Sequence, residues 1–158
     1  MRELILLRHA HAEPLATGQS DIERPLSGEG RKEARAAGRW LKEQGLVPDR
    51  VLVSPSRRTL ETVAAVAAEL GTLPQREEAD IYEATPGQLA DLADRNRDAN
   101  RLLMVGHNPG FEQLTALMHS GQSGDYRGMP PAGIAVLHLP VDAVVEPGVA
   151  SLAAFWWP

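Results

Sequence analysis

The feature that most constrains the fold of this 158-residue chain is an apolar run at residues 4–7 (LILL) that ends abruptly in Arg8 and His9. Four consecutive aliphatic residues are typical of a strand that is buried on both faces of a parallel sheet. A guanidinium and an imidazole rarely lie inside such a strand, whereas the carboxyl ends of strands are where open α/β sheets bind ligands. The run therefore predicts a central strand that carries Arg8 and His9 to a binding site.

The rest of the chain alternates in the same way between predicted strands and predicted helices. Further strands are expected at residues 50–53, 75–81, 101–106, 134–139 and 151–157, and helices at 28–44, 54–70, 88–95 and 111–118. Ser27 and Ser54 are the expected N-caps of the first two helices, and residues 120–131 form a long loop. This order predicts an α/β fold, a three-layer α/β/α sandwich with a mostly parallel central sheet and an antiparallel late pair of strands.

Composition narrows the possible functions. The length suits one domain spanning residues 1–158. A net charge of −5 gives no basic surface for nucleic acid, and the chain has no cysteine for a disulfide, a thiolate nucleophile or a thiolate metal site. No apolar run is long enough to span a membrane, and no signal peptide is evident. We therefore expect a cytoplasmic protein with no nucleic-acid or membrane partner.

Three strand-to-helix junctions carry polar residues, and parallel strands would bring all three to one edge of the sheet. Arg8 and His9 follow the first strand, Arg58 follows the second, and His107 follows the fourth. Arginine forks and helix N-termini favour an anion with several oxygens, such as phosphate. Burial among arginines lowers the pKa of a histidine, so one of the two histidines would be neutral and nucleophilic if its other nitrogen donates to a backbone carbonyl. The second histidine would then bind a phosphoryl oxygen in the transition state.

These segments resemble the motifs of a known family, and they occur in that family's order. Arg8-His9-Ala10, residues 51–58 (VLVSPSRR) and residues 106–109 (GHNP) resemble the signature blocks of the histidine phosphatase superfamily, which includes phosphoglycerate mutases and acid phosphatases. Residues 21–30 and 131–136 are similar to segments of the small SixA-type phosphohistidine phosphatases. Ala10 stands where the larger family usually has glycine.

The resemblance implies a phosphoglycerate mutase-like fold and a role for each matching residue. His9 would be the nucleophile that forms a phosphohistidine, which water then hydrolyses. Arg8, Arg58 and His107 would complete the phosphate pocket. Neither a metal nor an organic cofactor is implied.

For each of the other candidate residues, the sequence is compatible with two roles. Glu83 lies where larger relatives have a carboxylate general acid, but it is equally well an exposed loop residue. Asp21 and Arg24 form either a loop ion pair at the pocket rim or a contact to substrate. His11 is two residues from His9, yet the sequence identifies no third metal ligand, so a polar lining of the loop mouth is preferred.

The resemblance favours a phosphatase that acts on the phosphohistidine of another protein, such as a histidine phosphotransfer domain. The segments that follow the strands are too short to supply the helical insertion that covers the pocket in larger relatives. The first alternative is a phosphomonoesterase that acts on a small phosphate ester. Two other classes remain open: a metal-dependent hydrolase that uses His9, His11 and a carboxylate, and a non-catalytic phosphate-binding module.

Overall fold

A computed structural model describes residues 2–125 and 128–158, and within them the chain forms one six-stranded sheet flanked by four α-helices. The strands are β1 (Arg2–Arg8), β2 (Arg50–Val53), β3 (Gln75–Glu77), β4 (Arg101–Gly106), β5 (Ile134–Leu139) and β6 (Ser151–Trp156). The helices are α1 (Gly28–Glu43), α2 (Arg57–Leu70), α3 (Pro86–Arg95) and α4 (Gly110–Ser120). Two short 3₁₀ turns lie at Asp21–Glu23 and Ala79–Ile81.

The strand order in the sheet is β3-β2-β4-β1-β5-β6. The four strands β1 to β4 run parallel, whereas β5 is antiparallel to β1, and β6 is antiparallel to β5. The register pairs Arg8 with Gly106 and Val53 with Val105. The residues that follow β1, β2 and β4 therefore leave the sheet side by side, at one edge.

Alternate residues of the central strands supply two separate hydrophobic cores. Leu4 and Leu6 pack in one core with residues of α3 and α4. Ile5 and Leu7 pack in the other with residues of α1 and α2. A run that is apolar at every position thus serves both faces of the sheet, as expected for a buried parallel strand. The predicted three-layer sandwich with a mostly parallel sheet and an antiparallel late pair is confirmed.

The start of α2 differs from the prediction. The helix begins at Arg57 rather than at Ser54, and its N-cap is Ser56, whose Oγ accepts a hydrogen bond from the Thr59 N–H. Two serines flank Pro55, and either one satisfies the sequence pattern of a cap. Because Ser56 is the cap, the hydroxyl of Ser54 is free to contact another residue.

The segment after β2 also differs. The predicted strand at residues 75–81 is paired only over Gln75–Glu77, and Ile81 instead lies in a 3₁₀ turn with 1% of its surface exposed. Burying Ile81 in the core beneath α3 and α4 requires the chain to leave the sheet early. The helix α3 begins two residues before its predicted start, with Thr85 as its cap and Pro86 in its first turn.

The end of β4 requires glycine. A Cβ built on Gly106 would lie 2.5 Å from the Phe111 ring and 2.7 Å from Cγ2 of Ile81, well inside contact distance. The close packing of these two side chains fixes the strand end from which His107 emerges. The predicted loop at residues 120–131 includes positions 126 and 127, which lie outside the described residues. Among the residues that are described, no helix is both long and apolar enough to cross a membrane.

Candidate active site

His9 is held by main-chain hydrogen bonds directly after β1. Its backbone N–H donates to the Gly106 carbonyl over 3.0 Å, and its carbonyl accepts from the Ala132 N–H over 3.1 Å. Its Nδ1 lies 2.7 Å from the carbonyl oxygen of Ala10. A carbonyl can only accept, so Nδ1 carries the proton and Nε2 keeps its lone pair. This is the tautomer that attack by Nε2 requires.

The surroundings of His9 keep its ring neutral. Burial, together with the positive charges of Arg58 and Arg8, lowers the pKa of His9 to about 4. Burial disfavours the charged imidazolium, and the nearby guanidinium groups repel it. Near pH 7 the ring is therefore uncharged.

His107 faces His9, with 5.3 Å between the two ring centroids. Its Nε2 lies 2.8 Å from Oγ of Ser54, and its Nδ1 lies 3.3 Å from Nη2 of Arg58. Burial, and then the proximity of His9 and Arg58, lowers the pKa of His107 to about 3. Two neutral imidazoles therefore meet at the edge of the sheet, although their positions in the sequence are far apart.

Arg58 and Arg8 supply positive charge to this edge. The Arg58 side chain is only 7% exposed. It makes two hydrogen bonds to Asp21: Nη1 donates to the backbone carbonyl over 2.8 Å, and Nη2 donates to Oδ2 over 3.0 Å. Arg8 donates from Nη1 to the carbonyl of Met129 over 2.8 Å. The Nε of each arginine is buried and has no hydrogen-bond partner among the described residues. The positive charge of the two guanidinium groups suits an oxyanion, which supplies hydrogen-bond acceptors.

Asp21 joins the arginines at the rim of the site. Its carboxylate accepts from Arg58, from Arg24 Nη1 (3.1 Å) and from the hydroxyl of Tyr82 (2.5 Å). The Tyr82 hydrogen bond, with those from the two arginines, holds the pKa of Asp21 well below its usual range. The expected ion pair between Asp21 and Arg24 is present, and through Asp21 it reaches Arg58.

Sequence reasoning missed Tyr82 and Ser54. The Tyr82 ring packs edge-on against His107, with 5.5 Å between the ring centroids, while its hydroxyl donates to Asp21. A tyrosine in an irregular segment belongs to no recognised motif, and 61 residues separate it from Asp21. The sequence signal for Ser54 was present, but it was interpreted as a helix cap.

Glu83 is next to Tyr82, but the structure does not bring its side chain into this network. The residue is exposed, and within the described residues its carboxylate takes part in no hydrogen bond or ion pair. Its backbone has a φ of +58°, in the left-handed region. A non-glycine residue there costs of order 1–3 kcal/mol, a strain often found at functional sites.

His11 lies outside this network, in a separate polar group. Its Nδ1 is 2.7 Å from Oε2 of Glu33, and Glu29 lies close enough for the ligand atoms of all three to fall within 4.8 Å of one another. This group of three potential metal ligands does not include His9, so it differs from the pairing of His9 with His11 that the sequence suggested. His11 and Glu29 are exposed, and Glu33 already pairs with the imidazole as an ordinary surface contact.

Two half-buried histidines and two arginines thus converge at one edge of the sheet, and comparison with known proteins identifies the class of the protein. The chain belongs to the histidine phosphatase superfamily (branch 1), whose model matches residues 4–109.

Among relatives, the uncharacterized protein Rv1276c of Mycobacterium tuberculosis (strain H37Rv) is 34% identical, over 96% of this chain and 99% of that protein. The 2,3-bisphosphoglycerate-dependent phosphoglycerate mutase of Afipia carboxidovorans is 34% identical over an aligned region that covers 63% of this chain and 49% of the mutase.

Among solved structures, that of the putative phosphohistidine phosphatase SixA from Agrobacterium tumefaciens superposes with a TM-score of 0.86 at 25% identity, covering 99% of this chain and 98% of that one. The resemblance to the SixA type is thus confirmed. Together, the family and its SixA-like members support a phosphatase that acts through a histidine.

Proposed function

We propose that residues 1–158 form a single histidine phosphatase domain that removes the phosphoryl group from a phosphohistidine on another protein, through a covalent intermediate on His9. The observation that carries the proposal is the fixed tautomer of His9. Its Nδ1 is committed to the Ala10 carbonyl, and its ring is neutral, so the Nε2 lone pair is available.

In the first step, Nε2 of His9 attacks phosphorus, and the bond between phosphorus and the substrate imidazole breaks. The leaving imidazole takes the electron pair of that bond. In the second step, water attacks the phosphorus of the phosphorylated His9, its proton passes to solvent, and the bonding pair returns to Nε2 as phosphate leaves. Arg8, Arg58 and His107 bind the phosphoryl oxygens, where arginine forks stabilise spread negative charge.

Access to the site supports a substrate borne on a protein. In the described chain, the connection from β1 to α1 contains only a one-turn 3₁₀ segment (Asp21–Glu23), and so does the connection from β3 to α3 (Ala79–Ile81). β2 and α2 are joined by three residues, 54–56. These connections hold no helical insertion that would cover the histidines. A phosphohistidine on the surface of a folded partner, such as a histidine phosphotransfer domain, can therefore approach them.

A small-molecule phosphate ester is the second candidate, and Glu83 is the observation that favours it. An alkoxide leaving group needs a proton donor, whereas an imidazole can leave already protonated. The strained backbone of Glu83, beside Tyr82 at the rim, suits a carboxyl group positioned to supply that proton. We propose that Glu83 contributes to ester hydrolysis and little to phosphohistidine hydrolysis.

The two candidates are separated by comparing kcat/KM for a phosphorylated histidine phosphotransfer domain with kcat/KM for a panel of small phosphate esters. We expect the phosphoprotein to be the better substrate, and we expect Glu83→Gln to slow ester hydrolysis selectively. Glu78→Gln, on the same connection, is the matched control. If the phosphoprotein is not hydrolysed while an ester is, the second candidate replaces the first.

A further inference from the structure

Ser54 carries a buried hydroxyl group that does not cap a helix. Its side chain is fully buried, and its backbone N–H donates to the Val105 carbonyl over 3.1 Å at the end of the β2–β4 pair. Capping of α2 is performed by Ser56. The Oγ of Ser54 lies 2.8 Å from Nε2 of His107 and accepts a long hydrogen bond, 3.4 Å, from the Ser56 N–H.

The donors and acceptors around His107 define which nitrogen carries its proton. A guanidinium can only donate, so Nδ1 of His107 must accept from Nη2 of Arg58. The proton of the neutral ring is therefore on Nε2, and the Ser54 Oγ accepts it. Nδ1 is the nitrogen turned toward the arginine that would bind the phosphoryl group.

Binding of a phosphoryl oxygen requires Nδ1 of His107 to change from a hydrogen-bond acceptor to a donor. Such an oxygen only accepts, so an unprotonated Nδ1 would repel it, and His107 must become a donor at Nδ1. When Nδ1 takes up a proton from solvent, the imidazolium donates from both nitrogens. It donates from Nδ1 to the phosphoryl oxygen and from Nε2 to Ser54, as before.

We propose that Ser54 is the positioning residue of His107. Its Oγ accepts from Nε2 in both protonation states, and it thereby keeps Nδ1 directed at the phosphoryl group throughout the reaction. The inference rests on the proposed function, because it assumes that the site binds a phosphoryl group. Without this acceptor, the Nε2–H has no partner among the described residues. Of their hydrogen bonds to the ring, only the 3.3 Å contact with Nη2 of Arg58 then remains, and the ring can rotate or exchange its tautomer more readily.

The test uses the whole protein, with inorganic phosphate and tungstate as oxyanion probes. In Ser54→Ala we expect oxyanion affinity and kcat to fall by roughly tenfold to a hundredfold, as when one buried hydrogen bond is removed at a charged site. Ser56→Ala is the matched control. It removes an equally buried hydroxyl and a helix cap, which lowers stability but leaves the contact to His107 in place.

Nitrogen-15 NMR of the His107 ring measures which ring nitrogens carry protons, and a serine with a merely structural role would not change that distribution. We expect the proton on Nε2 in the free protein, both nitrogens protonated with phosphate bound, and a mixture of tautomers in free Ser54→Ala. Ser54→Thr, which retains the hydroxyl, should restore the single tautomer.

Two results would overturn the inference. One is a wild-type His107 whose proton is on Nδ1 in the free protein, and this can be observed even if no variant folds. The other is a Ser54→Ala protein with an unchanged tautomer and unchanged oxyanion affinity. Neither measurement depends on turnover. A protein that binds phosphate but never phosphorylates His9 would refute the proposed function and leave this inference to its own test.

Discussion

The floor of the candidate site and its rim are built in different ways. The floor, which we define as Arg8, His9, Ser54 and His107, comes from the ends of three parallel strands, and main-chain hydrogen bonds of the sheet hold it. The rim, defined as Asp21, Arg24, Tyr82 and Glu83, comes from irregular connections and is partly exposed. Arg58 joins the two, because it contacts both His107 and Asp21.

The floor and the rim are expected to determine different properties of the site. Ser54 is buried and the other three floor residues are half-buried, and burial lowers the pKa of both histidines. Under the proposed function, the floor therefore sets the chemistry of phosphoryl transfer. The rim is where a substrate beyond its phosphoryl group would make contact. Changes to the floor should therefore affect every substrate, whereas changes to the rim should be small or depend on the leaving group.

Replacing the residue that links floor and rim should have the largest effect. We expect Arg58→Ala to lower kcat/KM by about 10²–10³ for all phosphorylated substrates, because it removes a charged donor to the phosphoryl oxygens. The matched control is Arg57→Ala, since the guanidinium of Arg57 is exposed and pairs with Glu61 at 3.5 Å. Steady-state kinetics on both variants would contradict the comparison if they were equally impaired.

The pH dependence of the floor follows from the lowered pKa values. Protonation of the His9 Nε2 removes its lone pair, whereas phosphoryl binding requires a proton on His107. As pH falls through 6.5, kcat/KM should therefore not decrease, and it should decline only near the His9 pKa of about 4. A decline centred near pH 6.5 would mean that His9 is not buried as described.

Stability should change over a matching range of pH. In the unfolded chain each histidine has a pKa near 6.5. In the folded protein the pKa is about 4 for His9 and about 3 for His107, so both rings stay neutral to lower pH. Between pH 6.5 and 4 the unfolded chain binds more protons, and the free energy of unfolding therefore decreases as pH falls. Urea unfolding should show this slope in the wild type and a shallower slope in His9→Gln. Equal slopes would count against the buried, neutral state of His9.

Removing the Tyr82 hydroxyl tests the rim. In Tyr82→Phe we expect the pKa of Asp21 to rise toward its usual value, since the tyrosine hydrogen bond is the largest cause of its depression. The ring can still pack against His107, so kcat/KM should fall less than about tenfold. Carbon-13 NMR of the Asp21 carboxyl measures the first effect. A loss as large as that of Arg58→Ala would place Tyr82 in the chemistry itself.

Removing metal ions should have the smallest effect. We expect EDTA to leave turnover unchanged, and Glu33→Gln, which alters the group formed by His11, Glu29 and Glu33, to do the same. A rate that is lost with chelator and restored by a divalent cation would favour the metal-dependent hydrolase over the phosphohistidine mechanism.

The sequence was sufficient to predict that three of the four floor residues converge, but only part of the rim. Arg8, His9 and His107 follow apolar runs, and parallel topology forces such strand ends to one edge, so their convergence is a consequence of periodicity and connection rules. The rim depends on how two irregular connections fold against each other. No periodicity encodes the contact between Tyr82 and Asp21.

Ser54 shows a different limit of sequence reasoning. Residues 54–56 (SPS) offer two equivalent caps, and only the packing of α2 decides between them. The shortened β3 has a similar cause, because the burial of Ile81 in the tertiary core overrides its strand propensity. In both places, long-range packing determines the structure.

The central claim is that His9 carries the phosphoryl group, and trapping the phosphoenzyme tests it most directly. The protein is incubated with a labelled phosphohistidine donor, quenched in alkali and analysed for bound label. His119→Gln, which alters an exposed histidine in the last turn of α4, is the control. We expect acid-labile, alkali-stable label on the wild type and on His119→Gln, and none on His9→Gln. Label that persists in His9→Gln would show that another residue is the nucleophile.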